Sequence, residues 1–174
     1  SKDIDIIIDP GSYKQASALL KRSLQNEDIS NYKVVKYERA HCCYAIDVEK
    51  NFSIHIDLIE GYLSKGFEVF SFDNLFKETV NYKNFKVLNE TFNAIMLLYY
   101  KVIGTKQLKI QYQKEINLAY KKDYKKINSV LHKTLGLKKS KIIIEALSKQ
   151  DFKVIIDSAR ELSKITKRRV FFKK

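Results

Sequence analysis

A chain of 174 residues that is 45% hydrophobic and 12% aromatic is long enough to bury one sizeable core or two small ones, and too apolar to stay disordered. It holds no apolar run near the roughly 18 residues of a membrane helix, and its two cysteines are adjacent, so neither a spanning segment nor a disulfide scaffold is expected. The net charge of +13 is uneven: residues 1–84 hold 11 Lys or Arg against 13 Asp or Glu, whereas residues 85–174 hold 22 against 7, so a near-neutral part precedes a basic part suited to an anionic partner.

The chain opens on Lys2-Asp3-Ile4-Asp5-Ile6-Ile7-Ile8-Asp9, a pattern that predicts a strand. Alternation puts Asp3 and Asp5 on one face, about 6.6 Å apart at a rise of roughly 3.3 Å per residue, with Ile4 and Ile6 on the other. Like charges held on one face repel, and a bound cation would cancel that repulsion; a solvated pair on a frayed chain end is the alternative. Asp9 as N-cap and Pro10 at the first helical position predict a helix next, with Tyr13, Ala16, Leu20 and Leu24 as its apolar stripe. Three strands follow over 33–39, 42–49 and 52–60, with Lys50-Asn51 turning the last pair.

Cys42 and Cys43 point to opposite faces of their strand, which argues against a thiolate metal site and suits a reducing cytoplasm. His41, His55 and His132 show no ligand spacing and receive no role. Within 52–60, Ile56-Asp57-Leu58 repeats the apolar frame of the first strand. Asp57 is therefore preferred as a third acid over Glu60 and over Asp47, which with Glu49 reads as an alternating solvent face.

A loop is expected over 61–66, a short strand and a helix packing back on the sheet over 67–82, and a further short strand over 85–88. There the apolar period changes from two to about 3.6, dividing the chain into an α/β domain, residues 1–88, and a basic all-helical domain, residues 89–174. Asn89 caps a helix carrying Phe92, Ile95, Met96, Tyr99 and Val102, ended by Gly104. Leu108, Tyr112, Ile116 and Ala119 mark the next helix, and Ile127, Val130, Leu131 and Leu135 another, before Gly136. Ser140 and Asp151 are expected as N-caps of the last two, the final stripe being Phe152, Ile155, Ile156, Ala159 and Leu162. The basic run 121–126 reads either as a solvated helix face or as a surface for phosphates, single-stranded nucleic acid or anionic lipid. The run 164–174, with Val170-Phe171-Phe172 among its cations, leaves three readings open: it packs, it inserts peripherally at a membrane surface, or it begins a strand of a domain beyond residue 174.

Asp3-Ile4-Asp5, followed some fifty residues later by Ile56-Asp57-Leu58, resembles the nucleotidyltransferase superfamily of polymerase-beta type over roughly residues 1–120. The resemblance implies an α/β (α+β) fold, a mixed sheet with flanking helices and the Asp3 strand beside the Asp57 strand, followed by a helical bundle. It implies that Asp3, Asp5 and Asp57 are the catalytic ligands of two Mg²⁺ ions, Asp3 and Asp5 binding both and Asp57 the one that activates an acceptor hydroxyl. A nucleoside monophosphate would pass in line from a nucleoside triphosphate to that hydroxyl. Because a helix after the sheet lines the nucleotide cleft in the family, Lys101 or Lys106 would contact phosphate, although a lysine in a helix's last turn also complements the dipole without a ligand. The family's Gly-Gly or Gly-Ser motif precedes the acidic pair, whereas Gly11-Ser12 follows it, so that motif is expected upstream of Ser1 in a longer chain. The competing expectation is a catalytically inert module of the same fold whose basic helical half docks nucleic acid, an anionic membrane surface or a partner domain.

Overall fold

The computed structural model describes residues 2–37, 40–64, 67–100 and 109–158. The elements are β1 (Lys2–Ile8), α1 (Tyr13–Asn26), β2 (Tyr32–Tyr37), β3 (Ala40–Asp47), β4 (Phe52–Glu60), β5 (Tyr62–Ser64), β6 (Phe67–Phe70), α2 (Phe72–Phe76), β7 (Thr79–Tyr82), β8 (Phe85–Leu88), α3 (Glu90–Leu97), α4 (Ile110–Leu135) and α5 (Leu137–Ser148). Residues 152–158 are also helical. This is a mixed α+β chain. It divides into two compact units, Ser1–Tyr62 with Phe70–Asn74, and Leu63–Val69 with Leu75–Lys174; the boundary expected near residue 88 falls inside the second. Among the described residues, no helix is long and apolar enough to cross a membrane.

The first unit is built on a four-stranded sheet in the order β1-β4-β3-β2. β1 runs parallel to β4, while β3 is antiparallel to both β4 and β2. Alternation sends Cys43, Ala45, Ile56 and Leu58 to one face, where they form a core with Leu24 and Ile29, flanked by Tyr13, Ala16 and Leu20 of α1. The apolar stripe of α1 thus covers that face as its spacing predicts. Burying a leucine such as Leu24 or Leu58 contributes about 2 kcal/mol to the fold.

Asp9 and Pro10 do not begin this helix. Gly11 adopts φ +86 and the Ser12 amide donates to the Asp9 carbonyl at 3.0 Å, so the chain turns first and the helix starts at Tyr13, with Ser12 as its cap residue. The turn between β3 and β4 lies where expected but is longer, spanning residues 48–51 with Asn51 at φ +47. The loop expected over 61–66 contains β5, which pairs with β6 after a bend at Gly61.

In the second unit, Thr79–Tyr82 is a strand paired with β8 across a turn at Lys83, where an aromatic-rich stretch had suggested only helix after the first short strand. The Asn89 side chain accepts from the Phe92 amide at 2.9 Å, the expected cap of α3. Val102 and Gly104 lie outside the described residues. The two helices expected over 108–135 are continuous in α4 apart from a break at Asp123 (φ −146, ψ 61), whose carboxylate accepts from the Lys126 amide at 3.1 Å and so caps the second half. α3 packs on α4 and α4 on α5, burying Ile95, Ile116, Ile127, Leu131 and Leu147.

Ser140 is not a cap. It is fully buried inside α5, donating to the Gly136 carbonyl at 2.7 Å and facing His132 Nδ1 at 2.6 Å, the back-bonding arrangement a serine adopts mid-helix. Asp151 does cap, accepting from the Val154 amide at 3.1 Å ahead of the buried Phe152 and Ile155. Ala159 and Leu162 fall outside the described residues.

A Cβ added at Gly61 would lie 2.8 Å from the Phe70 carbonyl oxygen on a backbone already at φ +67. Gly61→Ala is expected to cost about 2 kcal/mol or more and to lower the melting temperature by about 5 °C, with a smaller loss for Gly11→Ala, whose Cβ meets open space. In the second unit, Asn89→Ala removes a cap and is expected to cost about 1 kcal/mol by chemical denaturation.

Candidate functional site

The parallel register of β1 and β4 sets Asp5 opposite Asp57 and Asp3 opposite His55. Register partners occupy the same face of a sheet, so the three acids singled out in the sequence stand on one face by backbone position. Across the other edge of β4, the antiparallel register sets Cys42 opposite Asp57 and Tyr44 opposite His55. Because Cys43 and Ile56 belong to the core under α1, Cys42, Tyr44, His55, Asp57 and Asp5 occupy the opposite, uncovered-by-α1 face.

The rival acids fall out of this arrangement. Asp47 stands an odd number of residues from Cys42 and so belongs to the face of α1. There it closes the β3–β4 turn, accepting from the Lys50 amide at 3.0 Å, with the Lys50 ammonium 3.5 Å away. Glu60 is likewise out of phase with Asp57.

On the acidic face, His55 Nε2 lies 2.9 Å from Asp57 Oδ1, an ion-pair distance without the alignment of a hydrogen bond. Each side chain is about a quarter exposed, 25% for His55 and 27% for Asp57. The Tyr44 ring stacks on the imidazole at 4.3 Å between centroids and 12° between planes, which holds the ring's orientation. The Cys42 sulfur, an imidazole nitrogen of His55 and a carboxylate oxygen of Asp57 all lie within 4.8 Å of one another. Asp5 is exposed at the rim.

Burial, a hydrogen bond to Asp57, and the negative charges of Asp57 and Asp5 push the Cys42 thiol up to about 12. The thiol is therefore protonated at physiological pH. Since the folded value exceeds the ordinary 9.0, the stability Cys42 contributes is full below about pH 9 and is lost as pH rises toward 12. Cys43, in the core, is raised by burial alone.

Lys101 and Lys106 lie outside the described residues, as does the basic run 164–174. In the run 121–126, Lys122 pairs with Glu90 at 2.5 Å and Lys126 with Glu78 at 2.6 Å, so two of its cations serve contacts within the second unit. That unit also holds an open depression of about 340 Å³ lined by Asn117, Tyr120, Lys121, Tyr124 and Leu147, with no carboxylate among its lining residues.

Two neighbours of Asp57 carry no signal of ligand spacing in sequence. His55 was detectable as the residue two before Asp57 on a strand, hence on its face; Cys42 becomes a neighbour only through the β3–β4 register.

Alkylation of native Cys42 is expected to be slow at mildly alkaline pH. Asp57→Asn removes both the accepting carboxylate and its charge and is expected to speed that alkylation several-fold, read by mass spectrometry peptide by peptide with Cys43 as the internal reference; an unchanged rate would leave burial as the sole control. No protein-family model matches the chain, and comparison with curated proteins and with solved structures finds no significant match.

Proposed function

We propose that the first unit is a nucleotidyltransferase of polymerase-beta type, in which an acceptor hydroxyl attacks the α-phosphate of a nucleoside triphosphate, forms a phosphodiester with the nucleoside monophosphate and expels pyrophosphate, at the face that carries Asp3, Asp5 and Asp57. The reading is supported above all by one observation: Asp5 and Asp57, fifty-two residues apart in the chain, are direct partners on adjacent parallel strands. Like charges directly across a strand pair destabilise a sheet, so this register is unfavourable for the fold by itself and suits a cation.

The residues fit magnesium, a hard ion that takes carboxylate oxygens, and Asp3, Asp5 and Asp57 would hold it. When bound, magnesium would offset the charge of the triphosphate and make the acceptor hydroxyl more acidic. The chain's own contributions are separate. Asp57 serves as the proton acceptor for the hydroxyl, with His55 2.9 Å beside it on the same face. Asp5, exposed at the rim, meets the incoming nucleotide and its cation first. The helix-lined face behind the sheet takes no part in the chemistry and supplies rigidity through Leu24, Ile56 and Leu58.

Mg²⁺ with a nucleoside triphosphate at a hundredfold its dissociation constant is expected to raise the melting temperature by about 5–10 °C. Asp5→Asn, which relieves the repulsion with Asp57, is expected to melt somewhat above the wild type without ligand and to show no further rise with Mg²⁺ and nucleotide. Equal responses from the two proteins would remove the assignment.

A further inference from the structure

We propose that Cys42, His55 and Asp57 form a second kind of cation site, one that takes a borderline transition ion such as Zn²⁺ through sulfur, nitrogen and oxygen together. The inference does not depend on nucleotidyl transfer, because Cys42 and His55 have no part in the magnesium triad.

The donor atoms converge already. All three lie within 4.8 Å of one another, and two of them, His55 Nε2 and Asp57 Oδ1, are 2.9 Å apart. Three ligands of a tetrahedral zinc, at bond lengths of about 2.0–2.3 Å, sit about 3.4–3.7 Å from each other. Side-chain adjustments well under 2 Å therefore convert the present cluster into a coordination shell.

The backbone that carries these donors is the most constrained part of the first unit. β3 and β4 are the two interior strands of the sheet, and Cys42 stands opposite Asp57 in their register. Tyr44 stacks on the His55 ring and limits its plane. Cys42 is 8% exposed, and His55 Nε2 and Asp57 Oδ1 are themselves buried although their side chains are each about a quarter exposed, so the three donors converge at a sheltered point that an ion reaches past the exposed parts of those two side chains, its fourth position left for water or an exogenous ligand.

The chemistry of the set selects the ion. A thiolate with an imidazole and one carboxylate favours Zn²⁺, Co²⁺ or Fe²⁺, while Mg²⁺ and Ca²⁺ take oxygen donors alone. Asp57 is common to this cluster and to the acidic triad, so a transition ion bound here competes with magnesium for that carboxylate and would act as an inhibitor of any reaction needing it.

Co²⁺ added to the metal-free protein under reducing conditions tests the site, since a cobalt–thiolate bond produces a charge-transfer band in the near ultraviolet that oxygen and nitrogen ligands do not. The wild type is expected to show the band and to lose it when Zn²⁺ displaces cobalt. Cys42→Ser is expected to abolish it. His55→Gln, which leaves the thiol in place, is expected to weaken cobalt binding about tenfold or more. Asp5→Asn is expected to keep the band while losing the magnesium–nucleotide response, which separates the two sites. Circular dichroism establishes that each variant is folded, and His55→Gln carries the test if Cys42→Ser is not. Absence of the band in the wild type, its persistence in Cys42→Ser, or unchanged affinity in His55→Gln would each overturn the site. A band in a wild type that ignores magnesium and nucleotide would strike only the nucleotidyl-transfer reading.

Discussion

The register between β1 and β4 is the constraint on which the rest depends. With Asp5 opposite Asp57, the two strands bring like charges together on one face and Ile6 and Leu58 together on the other. A slip of one residue would reverse one strand, exchanging its acids for isoleucines and setting charge against the core under α1. Burial of Ile56 and Leu58 therefore forces the carboxylates into one another's company. At about 4 Å two such charges repel by about 1 kcal/mol in water and about 4 kcal/mol at a partly desolvated surface. A sheet that accepts that cost on its acidic face gains directly from a cation placed there.

Around this pair the face is chemically mixed. Asp5 is exposed and its oxygen donors are hard, whereas Asp57 stands beside an imidazole and a buried thiol. One carboxylate would thus belong to both proposed donor sets, and the identity of the cation would decide which set is used. In the proposed reading magnesium would draw on β1 together with Asp57 of β4, whereas zinc or cobalt would draw on β3 and β4. The same position is then both the proposed reaction centre and the place where a transition ion would interfere with it.

Much of the first unit is legible in the sequence because its strands are rich in β-branched and aromatic residues between turn residues and α1 carries one clean stripe. What local pattern does not contain is strand order: β4 lies between β1 and β3, and only the resemblance of the Asp3-Ile4-Asp5 and Ile56-Asp57-Leu58 segments to a known family suggested that the first and last acids are neighbours. The Cys42 contact escaped for a smaller reason. A two-residue turn at Lys50-Asn51 would pair Glu49 with Phe52 and put Tyr44 opposite Asp57; the observed turn over 48–51 pairs Asp47 with Phe52 and brings Cys42 there instead. The shift by two residues preserves the face and changes the partner. Likewise Asp9-Pro10 has the composition of a helix start, but Gly11 in the left-handed region turns the chain before the helix can form. Asp123 shows the converse, since a capping aspartate inside an otherwise helical stretch marks a break that apolar periodicity records only as a change of phase.

The most direct measurement is diffraction from crystals of the protein grown with Mn²⁺ and a non-hydrolysable nucleoside triphosphate, with the ion located by its anomalous scattering. The expected result is a peak bound by carboxylate oxygens of both Asp5 and Asp57 on the face away from α1. Manganese found only at other carboxylates, or nucleotide bound with no ion between these two residues, would contradict the assignment of that face.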